Sequence, residues 1–156
     1  MQNRAPSVLE ALQREVYETL CQIGGFRELP LHFGSPSNFE AQLRHRTEMS
    51  SGLHLYVHPP IPLRIEEGLE GPLFDELDLC IEVLEHSLSN NSHWSAIAVA
   101  EEVCRQLHGF ALSPPALQGQ LVCRSDRPWD YAFENSLSRL RLHFTATGSL
   151  SMPSSS

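Results

Sequence analysis

Histidine is the side chain in this sequence best suited to bind a metal or to transfer protons near neutral pH, and the 156-residue chain contains eight. His54 and His58 share one face of a predicted strand, but four strand residues separate them by about 13 Å, too far to hold one ion together. His108 follows a predicted helix, where the helix dipole favours a cation. The others show no HxH or HExxH spacing. The pattern therefore predicts no metal site and no cofactor.

Cysteine is the other candidate ligand and nucleophile. The four cysteines are widely spaced and form no CxxC pair. Cys80 lies between Asp78 and Glu82 on the polar face of a predicted strand, where two carboxylates disfavour its thiolate. The sequence also contains no GxSxG elbow and no glycine-rich phosphate loop. We therefore predict no catalytic residue and no enzymatic activity.

The charge of the chain is acidic, with 19 Asp and Glu against 11 basic residues, all of them arginine, and a formal net charge of −8. A surface for nucleic acids needs clustered Lys and Arg, so this balance argues against nucleic-acid recognition. The N-terminal residues lack the apolar region of a signal peptide, and no apolar run approaches the length of a membrane span. These features predict a cytoplasmic chain without membrane contact.

Two groups of residues are candidates for a subunit or partner interface. The first is charged: Asp78 and Glu82 on one predicted strand, and Arg139 and Arg141 on another. One interpretation is cross-strand pairing within one sheet, worth at most about 1 kcal/mol. The other is a head-to-tail contact between an acidic surface and an arginine surface, which can close subunits into a ring.

The second group is aromatic and comprises Trp129, Tyr131 and Phe133, in a segment that we predict to be a loop over 125–136. Aromatic side chains beside Arg127 and Asp130 resemble a docking patch in composition. They could equally fold down and cover the core. The sequence leaves both readings open.

The elements that position these residues centre on 74–107. Alternating apolar residues predict a strand over 74–86, a polar break follows at 87–94, and helical periodicity predicts a second amphipathic helix over 95–107. The first helix starts after Ser7, as its N-cap, and is stopped by Gly24 and Gly25. Its apolar stripe runs from Val8 to Ile23.

The remaining segments are shorter. Residues 26–51 read as a long connection, with a short extended piece at 29–33 and a candidate brief helix at 38–45. Further strands are predicted at 52–58, which prolines interrupt, and at 61–65, 120–124 and 137–147. We predict one α+β domain over 1–148, an antiparallel or mixed β-sheet with two amphipathic helices packed on one face, and a disordered tail at 149–156.

In this order the elements resemble the small bacteriophage tail-terminator or tail-completion proteins, including the Mu-like minor tail protein family. The resemblance spans about residues 7–147 and rests on three segments: LCIEVLE at 79–85, the helix at 96–107 followed by His108-Gly109, and the closing strand LRLHFTAT at 140–147. It implies an α+β structural subunit that assembles into a ring, commonly six-fold, at the head-proximal end of a tail tube.

The resemblance also implies partners and a location. Such a ring stops polymerisation of the tail tube and offers a surface to the head connector, and related proteins serve contractile injection particles. The expected partners are further copies of the chain, tail-tube proteins, and sheath or head-connector proteins. The expected location is a virion tail or a phage-tail-like particle, assembled in the bacterial cytoplasm.

Two other functions remain open at this point. One is a generic intracellular protein- or peptide-binding module, which would use the strand-edge segment around Tyr56 and the aromatic segment. The other is a small metal-dependent hydrolase that would use the histidines.

Overall fold

The structure is a computed structural model, and it describes residues 8–27, 29, 31–33, 52–68, 71–111, 120–124, 129–134, 136–147 and 150–151. Within these ranges the helices are α1 (Val8–Cys21), a short 3-10 helix (Gly24–Phe26) and α2 (Ala96–Leu107). The strands are β1 (Leu31–Phe33), β2 (Leu53–Val57), β3 (Ile61–Gly68), β4 (Gly71–His86), β5 (Gln120–Cys123), β6 (Trp129–Glu134), β7 (Leu137–Thr147) and β8 (Leu150–Ser151).

All eight described strands belong to one sheet, whose central path is β1-β2-β4-β7-β5. The two longest strands, β4 and β7, lie at its centre and pair antiparallel. On the far side of β4, β2 and β3 pair with successive parts of that strand, and on the far side of β7, β5 and β6 do the same. Because β1 pairs parallel to β2 and the other pairs are antiparallel, the sheet is mixed. The predicted α+β class is confirmed.

The core lies between one sheet face and the two helices. Alternation along β4 and β7 places every second side chain on this face, as expected for strands covered on one side. These buried side chains are Leu77, Leu79, Ile81, Val83, Leu140, Leu142, Phe144 and Ala146. They form one cluster with residues of β2 and of both helices. The faces predicted for these strands are therefore correct.

The helices cover different parts of that face. α1 contacts β1 and β2, and α2 contacts β4, β5 and β7. α1 contributes Leu12, Val16 and Leu20 to the core, at the spacing of one helical stripe. In the part of the chain that the structure describes, no helix is both long and apolar enough to cross a membrane. Packing of both helices on one face agrees with the prediction.

The polar break between β4 and α2 is held by one asparagine. Asn90 Nδ2 donates to Glu85 Oε2 at 2.6 Å and to the Trp94 carbonyl at 2.8 Å, while its Oδ1 accepts from the Ser92 backbone N–H at 3.0 Å. Ser95 then caps α2, because its Oγ accepts from the Ala98 N–H at 3.2 Å. The break is therefore an ordered connection that begins the helix.

Three predictions are corrected or limited by the structure. The loop predicted over 125–136 is wrong for its second half, since β6 forms a hairpin with β7, and Ser136 at the turn has a φ of 65°. The alternation of aromatic and polar residues in β6 is the strand signal that the loop prediction overlooked. Leu150–Ser151, expected in a disordered tail, forms a short strand with β4. The brief helix predicted at 38–45 lies outside the described residues.

Candidate functional site

The charged residues selected on β4 and β7 lie side by side on the sheet face opposite the helices. The register sets Glu82 directly opposite Arg141, and Leu84 opposite Arg139. Arg139 reaches diagonally to Glu82: its Nε donates to Oε1 at 2.7 Å, and its Nη2 lies 2.6 Å from the same oxygen. Long side chains can span such diagonal neighbours. This geometry matches the intrachain interpretation, while the subunit-contact interpretation stays a prediction.

Burial separates the four charged candidates into two kinds. Glu82 is 2 % exposed and Arg139 is 9 % exposed, so both belong to the interior of this face. Asp78 is half-buried, and the side chain of Arg141 is 46 % exposed. Of the four, Arg141 offers the most surface to another molecule.

The second oxygen of Glu82 is also bonded. His58 Nε2 donates to Glu82 Oε2 at 2.8 Å, from the residue that follows β2. Burial alone would raise the pKa of the Glu82 carboxyl, but the His58 hydrogen bond and the Arg139 charge outweigh it, so the pKa lies below its ordinary value. Glu82 is therefore ionised, and each of its oxygens accepts from one neighbour, Arg139 on β7 or His58 after β2.

A small apolar cluster closes the side of Glu82 away from solvent. It consists of Tyr56, Leu84 and Leu137, all buried on the outer face. The rings of Tyr56 and His58 meet edge to face, with centroids 4.6 Å apart. Burial, and then the nearby Glu82 charge, raises the pKa of the Tyr56 hydroxyl. Tyr56 thus helps to position His58 and offers no exposed surface of its own.

Asp78 makes a different contact, to a histidine on β7. His143 Nδ1 lies 3.4 Å from Asp78 Oδ1, and His143 Nε2 lies 3.3 Å from Asp130 Oδ2. One imidazole thus lies between carboxylates of β4 and β6. These residues connect three strands across the outer face.

A cavity of about 450 Å³ opens between these groups, and Cys80 lies in its wall. Burial, followed by the charges of Glu82 and Asp78, raises the pKa of the Cys80 thiol to about 12. The thiol is therefore protonated near neutral pH and is a poor nucleophile. The two flanking carboxylates disfavour the thiolate as predicted, and burial is the larger cause of the raised pKa.

The aromatic candidates lie on β6, on the face of the sheet that the helices cover. Their partners on β7 place Trp129 and Tyr131 opposite the core residues Leu142 and Leu140. Trp129 packs partly against the core, whereas Tyr131 and Phe133 are 61 % and 62 % exposed. Trp129 therefore matches the core-covering interpretation, and the docking interpretation stays a prediction for Tyr131 and Phe133. The aromatic and charged candidates lie on opposite faces of one sheet and form two separate surfaces.

The histidines are distributed over several structural contacts. His54 is buried on β2, and His108 Nδ1 accepts from the Cys123 backbone N–H at 3.1 Å. Among the residues that the structure describes, no group of three or more His, Cys, Asp or Glu side chains could hold a metal ion. The absence of a metal site elsewhere in the chain stays a prediction.

Three contributors to the charged cluster were not predicted from the sequence: His58, His143 and Asp130. Each lies on a face that alternation identifies as polar, which was the available signal. Their contacts depend on strand register and on the unrecognised strand β6. The 3.7 Å distance between Cys104 Sγ and Cys123 Sγ was also not predicted, because it depends on how α2 packs against β5.

Comparison with models of known protein families and with curated proteins gives no match to this chain. The resemblance to tail-completion proteins therefore stays an expectation from sequence, and the function below is argued from it together with the surfaces of the fold.

Proposed function

We propose that this protein is a non-enzymatic assembly subunit of a phage tail or phage-tail-like contractile particle. It caps the tail tube as a homo-oligomeric ring, with a hexamer as the expected form, stops tube polymerisation, and offers an interface to a head connector or cap. The observation that carries the proposal is a pair of strand edges, β3 and β6, that bear exposed apolar side chains at opposite sides of one sheet. The sequence resemblance supports the same role.

The two edges are accessible for pairing within the described part of the chain. β3 pairs only with β4 there, and β6 pairs only with β7. Ile61 and Leu63 are exposed on β3, and Tyr131 and Phe133 are exposed on β6. Exposed strand edges with apolar residues are sites where another chain can add. This arrangement favours association over a solitary role.

The position of the edges favours a head-to-tail contact. Since β3 and β6 are different surfaces, contact of one with the other on a neighbouring copy is heterologous, and such contacts close into rings when the rotation allows. Pro62 on β3 cannot donate a backbone hydrogen bond, so Ile61 and Leu63 would meet the aromatic residues through side-chain contact. Arg141 is exposed on the opposite face of the sheet from Tyr131 and Phe133, and it is a second candidate contact for a neighbouring copy.

Mass measurement tests the proposal directly. We expect light scattering and native mass spectrometry to find a closed oligomer, either for the chain alone or after addition of tail-tube protein. Phe133→Ser should reduce the oligomer, because it removes an exposed aromatic contact from the β6 edge. Leu88→Ser is the matched control, since Leu88 is exposed on the turn after β4 and outside both edges. A chain that stays monomeric at high concentration and does not bind a tail tube would contradict the proposal.

A peptide-binding module is the second candidate, and the β6 edge is the observation that favours it. An extended peptide could add to this edge and contact Tyr131 and Phe133. The segment around Tyr56 no longer supports this candidate, because Tyr56 is buried on a strand that lies between β1 and β4. Affinity capture of one defined partner unrelated to tails or tubes, lost in Phe133→Ser, would favour this function over the first.

A further inference from the structure

The outer-face cavity arises where the edge of the sheet bends. β2 ends at Val57, opposite Ile81, and β3 begins at Ile61, opposite Asp78. Three residues, 58–60, thus pass beside two on β4, and two of the three are prolines that prevent regular pairing. The cavity beside these residues has a volume of about 450 Å³, which is within the range of small-ligand sites.

Glu82 lines the cavity and already accepts a hydrogen bond at each of its two oxygens. Glu82 accepts from Arg139 through one oxygen and from His58 through the other. Its distance to Arg141 Nε is 3.8 Å, which is too long for a hydrogen bond. Glu82 therefore bonds Arg139 and His58, and among the residues that the structure describes no carboxylate is within hydrogen-bond distance of the Arg141 guanidinium.

Arg141 is the group in this wall that is ready to bind a ligand. Its guanidinium carries five N–H donors in a planar fork that matches a carboxylate, and 46 % of its side chain is exposed. In the described ranges, the 3.8 Å approach to Glu82 is its closest ion pair. The other side of the cavity is apolar, because Pro59 and Ile61 line it. The wall thus combines an anion-binding fork with a hydrophobic surface.

The surrounding charges select among anions. Asp78 lines the cavity, and Asp130, which lies 3.3 Å from His143 Nε2, is the residue of β6 that the register sets opposite Arg141. Both carboxylates repel a second negative charge, and a dianionic phosphate would feel this repulsion more strongly than a carboxylate. A cation is disfavoured by Arg139 and Arg141, which also line the cavity. A ligand with one carboxylate and an apolar body matches the wall, because the carboxylate can bind Arg141 and the apolar body can contact Pro59 and Ile61.

We propose that this cavity binds a carboxylate attached to an apolar body, with the Arg141 fork on the carboxylate and Pro59 and Ile61 on the apolar part. The site goes beyond the assembly role and lies within one subunit, and it shares Ile61 with the β3 edge proposed for assembly. The carboxylate can belong to a free organic acid or to an acidic side chain of a protein segment, and the test separates these sources.

Sodium hexanoate is the probe, with hexanol as its neutral counterpart of equal chain length. We expect hexanoate to shift the side-chain Nε–H signal of Arg141 in heteronuclear NMR at low salt, in a saturable manner, and hexanol to leave that signal unshifted. Arg141→Gln should weaken hexanoate binding at least about tenfold, as expected for loss of a charged hydrogen-bonded partner. Arg105→Gln is the control, since Arg105 is an exposed arginine on α2.

Two further measurements show whether weaker binding comes from loss of the fold. Circular dichroism should be the same for both Gln variants, and Arg141→Lys should bind hexanoate with intermediate affinity, because it retains the charge without the fork. A blocked tripeptide with glutamate between two leucines that binds more tightly than hexanoate would assign the carboxylate to a protein segment. The reverse order would assign it to a free acid.

Three results would overturn the inference. Hexanoate could fail to saturate, it could bind Arg141→Gln as well as the wild type, or hexylphosphonate could bind more tightly than hexanoate. The first two would remove Arg141 as the recognition group, and the third would remove the preference for a carboxylate. None of these results changes the expected oligomer mass, so failure here is distinguishable from failure of the assembly proposal.

Discussion

Glu82 on β4 and Arg139 on β7 form a buried ion pair across the ladder, even though Arg141, and not Arg139, is the residue directly opposite Glu82. The pair is diagonal, and its donor–acceptor distance of 2.7 Å is that of a charge-assisted hydrogen bond. Two arginines of one strand face therefore have different roles: one is internal to the sheet, and the other faces the cavity and solvent.

Replacement of each arginine separates these roles. Arg139→Ala should lower the free energy of unfolding by about 3–5 kcal/mol, because it leaves Glu82 buried without its main cationic partner. Arg141→Ala should change stability by only about 0–1 kcal/mol, the range for exposed ion pairs. Urea unfolding followed by circular dichroism measures both. Equal losses of stability in the two variants would contradict the assignment.

The pH dependence of stability tests Glu82 itself. Its pKa in the folded protein lies below the value of 4.5 that applies to an unperturbed glutamate, so the unfolded state binds more protons as the solution is acidified. The contribution of Glu82 is therefore complete above that value and is lost as the pH falls through the folded pKa.

The free energies of unfolding of wild type and Glu82→Gln, compared as a function of pH, measure this contribution. The stability advantage of wild type over Glu82→Gln should be constant near about pH 7 and should decrease below about pH 4.5. Glu101→Gln, at an exposed position on α2, should differ little from wild type at any pH. A difference between wild type and Glu82→Gln that grows in acid would show that the pKa is raised instead.

Gly25 and Gly24 provide a matched test of packing between the 3-10 helix and the break before α2. A Cβ on Gly25 would overlap sterically with the Trp94 ring, whose Nε1 donates to the Gly25 carbonyl at 2.8 Å, whereas a Cβ on Gly24 would meet nothing within 4 Å. Gly25→Ala should thus cost about 1–3 kcal/mol. Gly24→Ala should remain within about 0.5 kcal/mol of wild type, and thermal unfolding followed by tryptophan fluorescence distinguishes them.

Cys104 on α2 and Cys123 on β5 should be the pair that an oxidant links, because their sulfur atoms are 3.7 Å apart. Burial raises the pKa of the Cys104 thiol to about 12, so we expect the reaction to be slow near neutral pH and faster in base. Diamide takes up the two thiol hydrogens as the disulfide forms. Intact mass should fall by two hydrogen atoms, and non-reducing peptide mapping should join these two residues.

Single serine variants of the cysteines are the controls for this prediction. Cys104→Ser should lose no mass under the same oxidation, whereas Cys21→Ser and Cys80→Ser should behave as wild type. Oxidised wild type should gain up to about 3 kcal/mol in stability, since the link closes a loop between positions 19 apart. Peptides that join Cys21 or Cys80 would contradict the geometry.

The sequence alone was sufficient for the parts of the fold that depend on local periodicity. Alternation of apolar residues identified β2, β4 and β7 and assigned their faces, and helical spacing identified α1 and α2. These signals are local because a side chain's direction follows from the conformation of its own segment. The composition of two helices and several strands was also enough to predict the α+β class with both helices on one face.

Only the tertiary structure decided which charged groups meet. Glu82 and Arg139 are 57 residues apart, and their contact depends on a register that alternation does not specify, since a shift of two residues preserves the faces and changes every pair. The strand character of β6, the bend at residues 58–60 and the approach of Cys104 to Cys123 depend in the same way on pairing between distant segments. Local periodicity thus determined the faces, and long-range register determined the ion pair, the cavity and the exposure of Arg141.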